Sequence, residues 1–145
     1  MLALLQRVKY AEVKVEDRIV GRGDEGLLAF VGIETDDTEA KARRLVERIL
    51  NYRMFPDEND HLNLSLRQLE GDLVLVSQFT LAADTSRGNR ASFDSAMNPD
   101  DAQVLFSRFV EIAKAAYPKV ATGEFGADMK VSLLNDGPVT FLLKI

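Results

Sequence analysis

Two segments hold side chains and backbone groups able to do chemistry. The first is Ser77-Gln78-Phe79-Thr80-Leu81-Ala82-Ala83-Asp84, which begins where an apolar run ends. Ser77 and Thr80 are the hydroxyls that could attack a carbonyl, but neither adjoins a base, and a hydroxyl without a base is a weak nucleophile at neutral pH. Backbone N–H groups at such a strand end could form an oxyanion hole, which requires no titratable residue. The plainer alternative is that these polar side chains only satisfy strand-end backbone groups. The second segment is Asn135-Asp136-Gly137-Pro138-Val139-Thr140-Phe141. Asn-Asp-Gly alone reads as a hairpin turn. The following proline lacks an N–H and fixes its own φ. A Gly-Pro bond is also among those able to be cis, which re-aims the neighbouring carbonyls.

The rest of the inventory is restrictive. His61 is the only histidine and there is no cysteine. A zinc site of Cys and His ligands is therefore out of reach within one chain, and a Ser-His-Asp triad would have to use His61. That residue lies in Asp57-Glu58-Asn59-Asp60-His61, a polar stretch that reads as an exposed loop. The same acidic cluster lacks the glycine and distal glutamate of an EF-hand loop. No metal and no cofactor are expected. The formal net charge of −5 argues against a general nucleic-acid coat, although Lys9, Arg87, Arg90 and Lys130 would make a local basic patch if the fold gathered them.

The elements that must position these groups are legible in the apolar pattern. Residues 2–8 read as a strand, and Val13, Val15, Ile19 and Val20 as a second extended stretch or hairpin. Gly26 to Ile33 is a continuous apolar run, as is the first half of Leu73 to Thr80; both read as buried central strands. Ala42, Leu45, Val46, Ile49 and Leu50 recur at helical spacing behind a cap at Asp36 or Asp37. Asn98 caps a second helix, with Pro99 at its first position and Asp100 and Asp101 at the positive end of its dipole. Its apolar stripe is Ala102, Leu105, Phe106, Phe109, Ile112, Ala113 and Ala116. Met129–Leu134 and Val139–Leu143 read as two strands joined by the Asn-Asp-Gly-Pro turn. Residues 84–98 form a long loop, a length that in compact domains tends to be functional. The expected fold is mixed α+β (α/β): two helices on a mixed, barrel-like sheet system, ordered as two strands, strand–helix twice, then two or three strands. All 145 residues fit one domain, 1–145. No apolar run is long enough to span a bilayer. Met1 leads into Leu2-Ala3-Leu4-Leu5-Gln6-Arg7, too short and without the basic leader of a signal peptide. A cytoplasmic location and no membrane partner are expected.

Taken together, Ser-Gln-Phe-Thr-Leu at 77–81 and Asn-Asp-Gly-Pro-Val-Thr-Phe at 135–141 resemble the paired signature motifs of the D-aminoacyl-tRNA deacylases. The similarity runs the whole length, through Leu4-Leu5-Gln6-Arg7-Val8, Gly26-Leu27-Leu28, Val31-Gly32-Ile33, the loop from Thr85 to Phe93, and Phe125-Gly126-Ala127-Asp128-Met129. Ala91 stands where that family would have proline, which removes a backbone restraint from the loop. The resemblance implies a homodimer that hydrolyses the ester between a D-amino acid and the terminal adenosine of tRNA. It implies a cis Gly137–Pro138 that enters the partner subunit's pocket and rejects L-amino acids by collision, while glycine escapes rejection. Arg7 then braces this motif, and Ser77, Gln78, Phe79 and Thr80 supply catalytic backbone donors and adenosine contacts. Phe125, Ala127 and Met129 join them in the pocket. An activated ester, assisted by the ribose 2′-hydroxyl, suits a chain without a base, because positioning and oxyanion stabilisation then suffice. Thr80 as a covalent nucleophile ranks second. A non-catalytic tRNA or nucleic-acid binding module of the same fold is the competing class. DNA is not an expected partner.

Overall fold

Fourteen consecutive residues, Leu2–Val15, form the strand β1 on which the molecule is assembled. The computed structural model describes all 145 residues. A tight turn at Glu16 and Asp17, with φ of 47° and 63°, reverses the chain into β2 (Arg18–Gly23). β3 (Gly26–Gly32) returns antiparallel to the first half of β1, with Leu2 opposite Gly32 and Val8 opposite Gly26. The extended stretch expected after residue 8 is thus partly the continuation of β1 itself.

Helix α1 (Glu39–Asn51) buries Ala42, Leu45, Val46, Ile49 and Leu50, the face its spacing predicts. Its cap differs from expectation: Thr38 accepts from the Lys41 N–H. Asp37 has other partners. Its buried carboxylate accepts from the Glu34 N–H at 2.7 Å, the Lys41 ammonium at 3.2 Å and the Met1 amino group at 2.7 Å. A short hairpin follows, β4 (Phe55–Pro56) and β5 (Leu62–Leu64). Exposed His61 sits in its loop, as its polar surroundings predict. There Asp57 accepts from the Asn59 and His61 N–H groups, which hold its carboxyl below the usual range.

A third helix, α2 (Leu66–Leu69), escapes the sequence reading because one turn is too short to show a period. Its capping box of Ser65 and Gln68 is complete. β6 (Asp72–Ser77) then runs parallel to β3, pairing Gly26 with Asp72 and Val31 with Ser77. Helix α3 (Pro99–Ala116) starts as expected, with Asn98 accepting from the Asp101 N–H and Pro99 in the first turn. β7 (Val120–Thr122) adds parallel to β6.

The last element overturns the expected turn. β8 (Lys130–Lys144) is one strand of 15 residues, antiparallel to β1 along its whole length. Pairing passes from Gln6 opposite Thr140 to Val8 opposite Asn135. Arg7 alone therefore faces residues 136–139, and Asn-Asp-Gly-Pro is a bulge within a strand, not the end of one.

The sheet runs β2-β1-β3-β6-β7, with β8 on β1. It curls until β2 meets β7: a Cβ added to Gly21 would lie 2.2 Å from the Thr122 carbonyl oxygen. The sheet is nearly closed and encloses one core while supporting another. Leu27, Ala29, Val31, Leu73 and Leu75 face α1 and α3 in the larger core. Leu28, Val74 and Val76 turn the opposite way and meet Val8, Ala11 and Val13 inside the curl. Burial on both faces is why β3 and β6 read as unbroken apolar runs.

Candidate active site

β6 ends at Ser77, and the chain turns at once into a single 3-10 turn, Phe79–Ala82. The Gln78 N–H donates to the Val31 carbonyl at 2.8 Å, which ties the turn to the end of β3. The next two N–H groups, those of Phe79 and Thr80, open the turn and take no partner within the chain, as the first donors of any helix must. The Thr80 hydroxyl accepts from the Gln78 side-chain amide. Its only neighbour in hydrogen-bond range is therefore a donor, and nothing is placed to remove its proton.

Beside this turn lies an open, mostly apolar cavity of about 470 Å³. It sits at the carboxyl ends of the parallel pair β3 and β6, where sheets of this kind commonly leave a crevice. Ser77, Gln78 and Phe79 form one wall, and Phe125, Gly126, Ala127, Asp128 and Met129 form another. The second wall is a turn between β7 and β8. Gly126 there has φ of 75°, the left-handed region that favours glycine, with open space where a Cβ would stand. Phe125 is backed by Phe106 of α3, ring centroids 5.8 Å apart. Gly123 packs close to this wall: a Cβ there would lie 2.6 Å from the Met129 sulfur, so the Met129 side chain would have to shift.

Six of the residues singled out by sequence thus share one cavity: Ser77, Gln78, Phe79, Phe125, Ala127 and Met129. Thr80 is exposed beside it. Other walls come from Phe30, Ile33, Met97, Ala102 and Val131. Sequence reasoning missed these because an apolar cavity wall and an apolar core residue have the same signature. No three of the His, Asp and Glu side chains converge on a point.

Arg7, Gly137 and Pro138 do not line this cavity. They form a separate, rigid projection on the β1–β8 pair. The Arg7 Nε donates to the Asp136 carbonyl at 2.9 Å and one terminal nitrogen donates to the Met54 carbonyl at 3.1 Å. Asn135 closes the bulge from within, accepting from the Val139 N–H at 3.2 Å and donating to the Thr140 hydroxyl at 3.0 Å. The Gly137–Pro138 bond is cis, and Gly137 has φ of 133°. A Cβ at Gly137 would lie 2.7 Å from Val139 Cγ2 and 3.0 Å from the Arg7 guanidinium. Both Gly137 and Pro138 are exposed. Of the four residues that could have made a local basic patch, Lys9 binds Glu25 and Asp136, and Lys130 binds Asp128.

Fold and site together define a small α+β protein with one apolar pocket at a parallel strand pair and a braced Gly-Pro projection on its longest strand. The chain belongs to the D-Tyr-tRNA(Tyr) deacylase family, whose model matches residues 4–144. It is 57% identical to the D-aminoacyl-tRNA deacylase of Stenotrophomonas maltophilia over 99% of both chains. It is 53% identical to that of Dichelobacter nodosus over the full length of both. Among solved structures it matches "c-Myc DNA Unwinding Element Binding Protein" with TM-score 0.95 and 34% identity, covering 100% of this chain and 99% of the other. A probable eukaryotic D-amino acid tRNA deacylase shares the fold at TM-score 0.88 and 18% identity, over 99% and 98% of the two chains.

Proposed function

We propose that this protein hydrolyses the ester bond of D-aminoacyl-tRNA, and of glycyl-tRNA, releasing the amino acid and free tRNA. Family membership supports the reaction. The observation that carries the mechanism is the separation of the two motifs: the cavity holds Ser77-Gln78-Phe79 but not Gly137-Pro138. In a homodimer, the Gly137–Pro138 projection of each copy enters the other's cavity and completes it. A side chain of L-configuration then meets this projection, a D side chain points away, and glycine has nothing to collide. Arg7 and Asn135 hold the projection still, as exclusion by shape demands.

Water attacks the ester carbonyl. The oxyanion that forms is held by the free N–H groups at Phe79 and Thr80, which need no reorganisation to meet it. The ribose 2′-hydroxyl relays the water's proton to the departing 3′-oxygen, so the C–O bond breaks with charge balanced. Phe125, Ala127 and Met129 bound the site that receives the aminoacyl-adenosine end. A volume of about 470 Å³ suits a ligand of that size. No cofactor is called for, and a cytoplasmic location goes with this proposed substrate.

The test is single-turnover hydrolysis of D- and L-tyrosyl-tRNA. The D-form should be cleaved and the L-form spared, with activity unchanged by a chelator. Equal rates on both would overturn the reading. The name of the 34%-identical structure supports a second reading, a non-catalytic nucleic-acid binding module. A net charge of −5 weighs against it for duplex DNA. The same turnover assay separates the two.

A further inference from the structure

Two exposed aromatic rings lie together beside the cavity, and two unpaired arginines sit in the loop that leads into one of them. Phe79 is 60% exposed and Phe93 43% exposed, although both are large and apolar. Their ring centroids are 5.2 Å apart and tilted by 47°. Phe79 belongs to the cavity wall, whereas Phe93 does not line it. Phe93 follows directly on a closed loop. Asp84 and Ser92 exchange two backbone hydrogen bonds, of 2.8 and 3.0 Å, which bring the ends of the loop together. The segment after Phe93 is tied down as well: the Thr35 N–H donates to the Ser95 carbonyl at 3.1 Å, and the Met97 N–H to the Ile33 carbonyl at 3.0 Å.

Arg87 and Arg90 stand at the tip of this anchored loop. Both are exposed. Lys9 and Lys130 are consumed by carboxylates, whereas these two guanidinium groups have no hydrogen bond or ion pair. Of the loop's acids, Asp84 turns its carboxylate onto the Ser86 N–H at 2.9 Å, and Asp94 lies beyond the closing bridge. In an acidic protein, two free arginines three residues apart, in the loop that leads into a pair of exposed aromatics, match one kind of ligand: a single-stranded, phosphate-linked chain with flat bases.

We infer that Arg87, Arg90 and the Phe79–Phe93 pair form a docking track for the single-stranded 3′ tail of tRNA, taking the nucleotides that precede the terminal adenosine. The inference rests on the proposed function and extends it outward from the cavity. The cavity accommodates little more than one aminoacyl-nucleoside, so the strand must leave across its rim. There a base stacks on Phe93, and the arginines meet successive phosphates. Arginine suits this role because its planar fork binds phosphate oxygens in pairs.

The experiment compares D-tyrosyl-tRNA with 3′-O-D-tyrosyl-adenosine, which lacks the tail. In the double variant Arg87→Ala, Arg90→Ala, kcat/KM on the tRNA should fall about tenfold. Its logarithmic salt slope should flatten by about 1.4, two phosphates at about 0.7 each. Hydrolysis of the adenosine ester should not change, and Arg87→Lys, Arg90→Lys should keep most of the salt slope. Phe93→Ala should weaken binding of a fluorescent RNA hairpin ending in the same tail about tenfold. Equal losses on both substrates, or none on tRNA, would overturn the track. If the wild-type protein cleaves neither substrate, the proposed function fails instead. The hairpin affinity then decides the track alone, with unchanged binding in the double arginine variant counting against it.

Discussion

Gly137 is the residue with the least freedom to change. Its φ of 133° disfavours any side chain, and the space a Cβ would need is occupied by Val139 and Arg7. Gly137→Ala should therefore displace the projection, and kcat/KM on D-tyrosyl-tRNA should fall by at least about 100-fold, because small misplacements in a site cost that much. Circular dichroism should still report a folded chain, since the bulge is exposed. Thr80 is the opposite case. Its hydroxyl accepts from Gln78 and faces no base. Thr80→Ala should retain kcat within about fivefold, because the oxyanion donors are main-chain N–H groups that the substitution leaves in place. A substrate ending in 2′-deoxyadenosine should be cleaved far more slowly. An acyl group trapped on Thr80, with full activity on the deoxy substrate, would reverse both statements.

Among the elements, the bulge in β8 and the entry to α1 owe their shape to single polar side chains. Asn135 is the internal tie of the bulge, bonded to both Val139 and Thr140. Asn135→Ala removes two hydrogen bonds on a partly exposed segment, so global stability should fall by only about 1 kcal/mol. The projection itself should loosen, and discrimination between D- and L-tyrosyl-tRNA should narrow more than the D-rate falls. Asp37 behaves differently because its side chain is fully buried between cations. Asp37→Ala strands those partners, and the cost should be about 3 kcal/mol, read from the midpoint of urea unfolding. Activity per folded molecule should be preserved, since α1 lines no part of the cavity.

At the scale of the whole molecule, the distance between motif and cavity becomes a statement about assembly. If each projection completes the partner's site, two differently damaged chains should rescue each other. One carries Gly137→Ala with an intact cavity; the other carries Ala127→Trp, which fills the cavity but leaves the projection. Each alone should be inactive. After unfolding and refolding as an equal mixture, half of the dimers pair unlike chains, and each of these holds one sound site. About a quarter of wild-type activity should return, as the two-fold symmetry requires. No recovery, together with a monomeric mass in solution, would show that the site is complete within one chain.

Much of this was written in the sequence, and the parts that were follow from local physics. α1 and α3 are legible because a buried helical face repeats every three to four residues, and Asn98-Pro99 signals a helix start by itself. β3 and β6 are legible because burial on both faces leaves no polar position from Leu27 to Val31 or from Leu73 to Val76. The site segments are legible as motifs, since Ser77–Thr80 interrupts an apolar strand and Gly137-Pro138 breaks the expectations of one. Other features depended on partners remote in the chain. Asn-Asp-Gly-Pro reads as a turn because its residues favour one, yet β1 pairs with β8 on both sides of it and holds the strand continuous. Asp37 has the chemistry of a cap, but the Lys41 ammonium and the Glu34 N–H claim its carboxylate, leaving the cap to Thr38. Phe30, Ile33, Met97 and Ala102 look like core in any sequence. They face a cavity only because the curl of the sheet and the start of α3 leave a gap between them. Side-chain type and spacing determine which surfaces must be buried; the packing of distant strands determines which of those surfaces remain open to a ligand.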